Sequence, residues 1–134
     1  LNCLIPWPAR GTVVWGARTM SVEKPNDQIS VRRVLSYIER SVKRGTQWAL
    51  FEPNDDKLWK LLQSNVKNFL DGLYKRGLLV GNSPEEAYIC RCDASTNTAD
   101  DRSEGRLIVD VWVRPVRPIE MIVLRIVHSV ADER

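Results

Sequence analysis

Apolar positions change their spacing along the chain, and each change marks a new element. In residues 29–44, Val31, Val34, Leu35, Ile38 and Val42 recur every three or four positions, the signature of one helical face. Ser30 offers an N-cap oxygen and Gly45 a stop, so this stretch predicts a first helix over 29–44. A wider stripe follows in Leu58, Leu61, Leu62, Val66, Phe69, Leu70 and Leu73, with Trp59 and Tyr74 at its margins. It predicts a second helix over about 55–76, closed by Gly77. At about 1.5 Å per residue that helix is roughly 30 Å long, enough to cover one face of a small sheet. The stretch TQWALFEPNDDKLWKLL, 46–62, organises the rest. Trp48, Leu50 and Phe51 read as a short buried strand, and Pro53 holds Glu52 extended. Asn54 then stands at the N-cap, and Asp55 and Asp56 put negative charge at the positive end of the helix dipole.

Elsewhere the period drops to two. Residues 1–10 are interrupted by Pro6 and Pro8 and read as an extended lead-in. Residues 11–20, GTVVWGARTM, predict a strand in which Gly16 marks a bulge or a close backbone approach. Residues 21–28 are a polar loop, and 78–86 a turn-rich link into a strand over 87–93, AYICRCD. Residues 94–105 are polar and acidic and read as a surface loop. In 106–114, Leu107, Val109, Val111 and Val113 alternate with Ile108, Asp110, Trp112 and Arg114. Pro115 and Pro118 form a rigid corner before 119–127, IEMIVLRIV. There Met121, Val123 and Val127 point to one side, Ile122, Leu124 and Ile126 to the other, with Ile119 opening the run. A strand apolar on both faces expects cover on both. Either it runs through the middle of its own sheet, or a second chain supplies its neighbour. The order of elements predicts an α+β fold: a mixed or antiparallel sheet, two main helices packed on one face, and a C-terminal strand available to an intersubunit sheet.

The totals add limits. A chain of 134 residues is of single-domain size, and a net charge of +3 is too small by itself to argue for nucleic acid. No apolar run is long enough to insert into a membrane, and no signal peptide is visible. The chain begins at Leu1 rather than Met, which is expected of a piece of a longer protein. Cys3, Cys90 and Cys92 are an odd set, expected as free thiols in a reducing compartment. Cys90 and Cys92 would supply half a zinc site, but the one histidine, His128, is distant, so they read as small strand hydrophobes. The glycines of 11–20 lack the lysine and spacing of a phosphate loop, and the acids of 94–105 do not follow a calcium-loop pattern. Asp55 and Asp56 are explained by the helix dipole, and His128 reads as a strand-end side chain. The residues thus offer no catalytic, cofactor or metal site. One feature of the first helix stands apart: Arg32, Arg33, Arg40, Lys43 and Arg44 against the single acid Glu39. It reads as a solvated face, as a docking surface for an acidic partner, or, in the alternative, as a small nucleic-acid-binding module built on helix 31–44.

Four blocks, GTVVWGARTM, SVRRVLSYIERSVKRGTQWALFEPNDDKLW, CDASTNTADD and PVRPIEMIVLRI, in this order and spacing, resemble the C-terminal domain of contractile phage tail sheath proteins. That family also takes in sheaths of R-type bacteriocins and extracellular contractile injection systems. The chain departs from it at SVEKPNDQI, where relatives often carry an aromatic-rich approach to the first helix. The resemblance implies a structural protein, not an enzyme, with no cofactor. Residues 1–118 would form the core of the inner, tube-proximal domain and 119–134 a C-terminal strand or arm, in a subunit longer than this chain. It implies helical polymerisation of sheath subunits around an inner tube, and contraction that drives the tube through a target envelope. Assembly would take place in the bacterial cytoplasm, within a virion or a released tail-like particle. The strand of Ile119, Met121, Ile122, Val123, Leu124, Ile126 and Val127 would join a neighbour's sheet. Arg32, Arg33, Arg40, Lys43 and Arg44 become candidates for contact with the tube or a neighbouring subunit.

Overall fold

The computed structural model describes residues 3–16, 18–24, 26–118 and 123. The chain opens with an antiparallel hairpin of β1 (Cys3–Trp7) and β2 (Gly11–Trp15), where the sequence reading has only an extended lead-in. Pro8 starts its turn, Ala9 (φ 63°) and Gly11 (φ 72°) take left-handed backbone, and the Arg10 amide donates to the Trp7 carbonyl at 3.1 Å. Trp7 and Trp15 lie on one face and stack with centroids 5.1 Å apart. The strand expected over 11–20 ends at Trp15, because Gly16 turns to φ 99°. Beyond it, Arg18 bridges to Gln28 and pairs with Asp27 at 2.7 Å, closing the loop.

Helix α1 (Ile29–Gly45) follows its predicted stripe, with Val31 and Ile38 buried. Its N-cap is Gln28, and Ser30 lies inside the first turn. The buried strand expected at 48–51 is not there. The Thr46 hydroxyl and amide both bind the Val42 carbonyl at 3.0 Å, so the chain keeps winding into a 3-10 turn, Gln47–Ala49. Trp48, Leu50 and Phe51 are left exposed. Helix α2 (Asp56–Lys75) starts one residue later than predicted, since Asp55, not Asn54, accepts from the Leu58 amide at 2.9 Å. Asn54 instead accepts from the Trp59 indole at 2.7 Å and donates to the Arg106 carbonyl at 2.9 Å. Trp59 is therefore core, not margin, and Leu61 is half-exposed. At 100° per residue, Leu58, Phe69, Leu62, Leu73, Val66, Trp59 and Leu70 fall within one arc that excludes Leu61. Gly77 (φ 74°) ends the helix: its amide binds Tyr74 O and the Leu78 amide binds Leu73 O, the paired bonds of a Schellman cap.

The remainder is a short helix α3 (Pro84–Ala87), strand β3 (Tyr88–Arg91), helix α4 (Ala99–Ser103) and strand β4 (Asp110–Val113). α4 lies in the stretch expected as loop; Thr98 and Asp101 form its capping box. β3 and β4 pair antiparallel, Ile89 opposite Trp112, and Leu79 bridges Pro115 beyond them. The single sheet of the sequence reading is thus two separate two-stranded sheets among the described residues. β1 and β2 pair with each other, and the β3–β4 sheet lies against α2 through β3. Ile38, Val66, Leu70, Leu73, Leu79, Ala87 and Cys90 form the core between helices and sheet, with Val109, Val111 and Val113 packed onto it. The alternation read in 106–114 puts those valines inward and leaves Trp112 half-exposed. The predicted strand 119–127 and His128 lie outside the described residues, apart from Val123.

Candidate interaction surfaces

The amphipathic pattern that buries α1 also sorts its charge. Arg32, Lys43, Arg40, Arg33 and Arg44 project within an arc of about 120°, opposite Val31 and Ile38. All five are exposed, and none has an ion pair among the described residues. α1 holds five cations and Glu39, a net +4, while the whole chain is +3, so everything else sums to −1. The positive excess of the molecule is therefore the face of one helix.

Beside it lies a groove of about 780 Å³, walled by Leu35, Ile38 and Val42 of α1, Leu58 and Leu62 of α2, and Leu107, Val109, Val111 and Val113. One wall is the outer edge of β4. The Arg114 amide binds Ala87 O at 2.9 Å. By antiparallel alternation the amides of Asp110 and Trp112 also face β3, and those of Val109, Val111 and Val113 face away from it. No strand pairs with that second edge among the described residues. Pro115, without an amide hydrogen, closes its far end.

At the groove mouth the chain makes a type II turn. The Glu52 amide donates to Ala49 O at 3.2 Å, Leu50 has φ −63° and ψ 131°, and Phe51 has φ 72°. The third position of such a turn ordinarily takes glycine. Here it holds a fully exposed phenylalanine. This surface lies outside what the sequence pattern predicts; its one signal is three apolar residues, 48, 50 and 51, that fit neither a period of two nor of 3.6.

Two polar clusters fix these walls. Past Arg91 and Asp110 the β3–β4 register would set Asp93 against Ile108, but the chain turns away at Asp93. The fully buried Asn97 side chain takes over: Nδ2 donates to Ile108 O at 3.0 Å and Oδ1 accepts from Ile108 N at 2.7 Å. Asp101 accepts from Thr98 Oγ1 at 2.6 Å and from Arg106 at 2.8 Å, which hold its carboxyl down at about 2. Arg106 also pairs with Glu104, and Arg102 lies over the Trp59 ring at 5.3 Å. Burial pushes the Cys90 thiol up and carries Cys92 up to about 11, so both stay as thiols, fitting their reading as small hydrophobes. No group of three metal-ligating side chains converges among the described residues.

Among the described residues, the developed features of this mixed α+β domain are a charged face, a strand edge without a neighbour and an exposed aromatic, surfaces suited to contact with another chain. Residues 21–129 match the family described as Phage tail sheath C-terminal domain, and the chain belongs to that family. It is a family of structural proteins, not of enzymes. The tail sheath protein of Enterobacteria phage T4 is 27% identical over 120 residues, covering 89% of this chain and 17% of that protein. A chain of the anti-feeding prophage (AFP) baseplate superposes with TM-score 0.88 at 36% identity, over 97% of this chain and 37% of that one. The sheath complex of the extracellular contractile injection system PVC, in its contracted state, matches with TM-score 0.88 at 33% identity, over 99% and 38%. The chain thus spans about a sixth of the phage relative and just over a third of the two solved chains. These relatives lend nothing to the nucleic-acid alternative.

Proposed function

We propose that this chain is the inner, tube-proximal domain of a contractile sheath subunit, with residues 1–118 its core and 119–134 its connecting arm. Subunits polymerise helically around an inner tube, and contraction drives the tube through a target envelope. The particle is a phage tail or a tail-like relative assembled in the bacterial cytoplasm. The observation that carries this reading is the match of nearly the whole chain, 97%, to a contractile-particle chain at 36% identity.

Two features support how the assembly is held. The doubly apolar run of Ile119, Met121, Ile122, Val123, Leu124, Ile126 and Val127 suits strand donation to a neighbour, where backbone bonds supply affinity and alternate side chains supply register. The edge of β4 that no strand pairs among the described residues, with inward valines and a proline stop, suits the receiving role. The arc of Arg32, Arg33, Arg40, Lys43 and Arg44 suits an acidic tube or neighbour surface. Each exposed ion pair contributes at most about 1 kcal/mol, so contacts of this kind hold by repetition and let go together. The test is deletion of residues 119–134 from the full-length subunit, scored by electron microscopy of particles. Loss of sheaths is expected, and normal sheaths would remove the strand-donor role. Reversal of Arg40, Lys43 and Arg44 to Glu should likewise impair assembly around the tube.

A further inference from the structure

We infer that the β1–β2 hairpin is the seam on which the preceding part of the same subunit packs, so that this domain meets the rest of its polypeptide through a shared apolar interface rather than a loose linker. Three observations converge. First, the hairpin is apolar on both faces. Leu4 and Val14, paired across the strands, are each 70% exposed on one face, while Trp7 and Trp15, at 40% and 52%, stack on the other. Its one charged residue, Arg10, stands in the turn between the strands. A ribbon apolar on both sides expects cover on both. Second, the described fold does not supply that cover. No hairpin residue belongs to the core or packs onto it, and a two-stranded hairpin alone is marginal in water. Third, the hairpin lies outside the matched domain and inside a larger chain. The family match begins at residue 21, beyond Trp15. The AFP chain matches 97% of this chain, hence most of the hairpin, and this chain spans 37% of it.

The matched domain is described as C-terminal, so the remainder of the subunit precedes it and reaches it through β1. A segment tethered there stands at an effective concentration on the order of 1 mM, ahead of any separate partner. The strands also carry no charge by which a second chain would be steered or held in register. An uncharged surface rich in aromatic and aliphatic side chains has the character of a permanent interface. The occupant is therefore an apolar surface of the same polypeptide, N-terminal to Leu1. This step rests on the reading, proposed above, that the chain is the C-terminal part of a longer subunit.

The experiment puts the photo-crosslinking residue p-benzoylphenylalanine at Leu4, or at Val14, of the full-length subunit and irradiates the purified protein. Gel mass separates products within one chain from products between chains, and peptide mapping locates the bond. At either position the product should keep the mass of one chain, join to a peptide preceding Leu1, and exceed interchain product by about tenfold or more. Hydroxyl-radical footprinting of the unassembled wild type, which carries no substitution, should find Leu4 and Val14 protected. Products of twice the mass overturn the inference, because a neighbour would then cover the hairpin. So do crosslinks confined to residues after Trp15, or free oxidation of Leu4 and Val14 in the wild type. A natural protein no longer than this chain fails the longer-subunit reading on mass alone, and the inference with it. A subunit that joins no sheath fails the assembly reading and leaves the intrachain product standing.

Discussion

Asn97 stands in for a missing residue of β3, and its replacement gives the sharpest test of the fold. Asn97→Ala removes both bonds to Ile108 and the bonds of Nδ2 to Thr96 Oγ1 and Asp93 O. Two lost backbone pairings at roughly 0.5–1.5 kcal/mol each, plus a penalty of about 1–3 kcal/mol for groups left dry and unpaired, give an expected loss of about 2–6 kcal/mol. Alanine also leaves a void, so volume and bonding are confounded. Asn97→Asp separates them: it keeps the volume and the acceptor but sets a carboxylate oxygen against the Ile108 carbonyl. If the paired amide is what counts, the aspartate variant at pH 7 loses about as much as the alanine variant. Acidification should then recover part of the loss, because a protonated carboxyl can donate again. Urea unfolding followed by tryptophan fluorescence measures this, with five tryptophans as reporters. An aspartate variant within about 0.5 kcal/mol of wild type at pH 7 would refute the role assigned to the side-chain amide.

Three other outcomes follow from the same geometry. The folded-state carboxyl of Asp101 is lowered to about 2, and those of Asp93 and Glu85 are lowered as well, so their stabilisation is present above the ordinary carboxylate range and is lost as pH falls toward about 2; unfolding midpoints from pH 6 to pH 2 should fall, and Asp101→Asn should flatten part of that slope. Gly81→Ala should destabilise by about 1–3 kcal/mol in the same urea assay, because the new Cβ would stand 2.7 Å from the Ala87 amide nitrogen and 2.9 Å from the Ser83 carbonyl, both backbone atoms that cannot yield cheaply. Thiol labelling of the native chain at pH 8 should modify exposed Cys3 alone, with Cys90 and Cys92 reacting only on unfolding.

Both long helices were legible in the sequence because burial on one side leaves a periodic trace. Gly77 was legible as a stop because a left-handed cap needs it. What escaped was decided by partners far along the chain. Asn54 looked like a cap, but Trp59 and Arg106 claim its amide, and the cap passes to Asp55. Trp48, Leu50 and Phe51 looked buried because apolar residues usually are, yet Thr46 extends the winding of α1 and turns them outward. The hairpin went unread because Pro6 and Pro8 hid a strand whose bonds are made with β2 alone. The cationic face was visible as composition; that it lies within one arc and holds the whole positive excess came from the helix geometry. Asn97 sits inside the CDASTNTADD block that carried the resemblance, but nothing in its spacing announces a side chain acting as a strand.

The row of cations on α1 has a finite electrical range. Arg32 to Arg44 spans about 18 Å of helix axis, while mobile ions at physiological strength quench a charge beyond about 8 Å. An approaching surface therefore senses the near residues singly, and the row acts as a graduated scale rather than as one lumped charge. A slide of more than about 8 Å carries opposed charges out of each other's reach. Attraction of this type is strongest in register, fades over a longer slide, and loosens as salt rises.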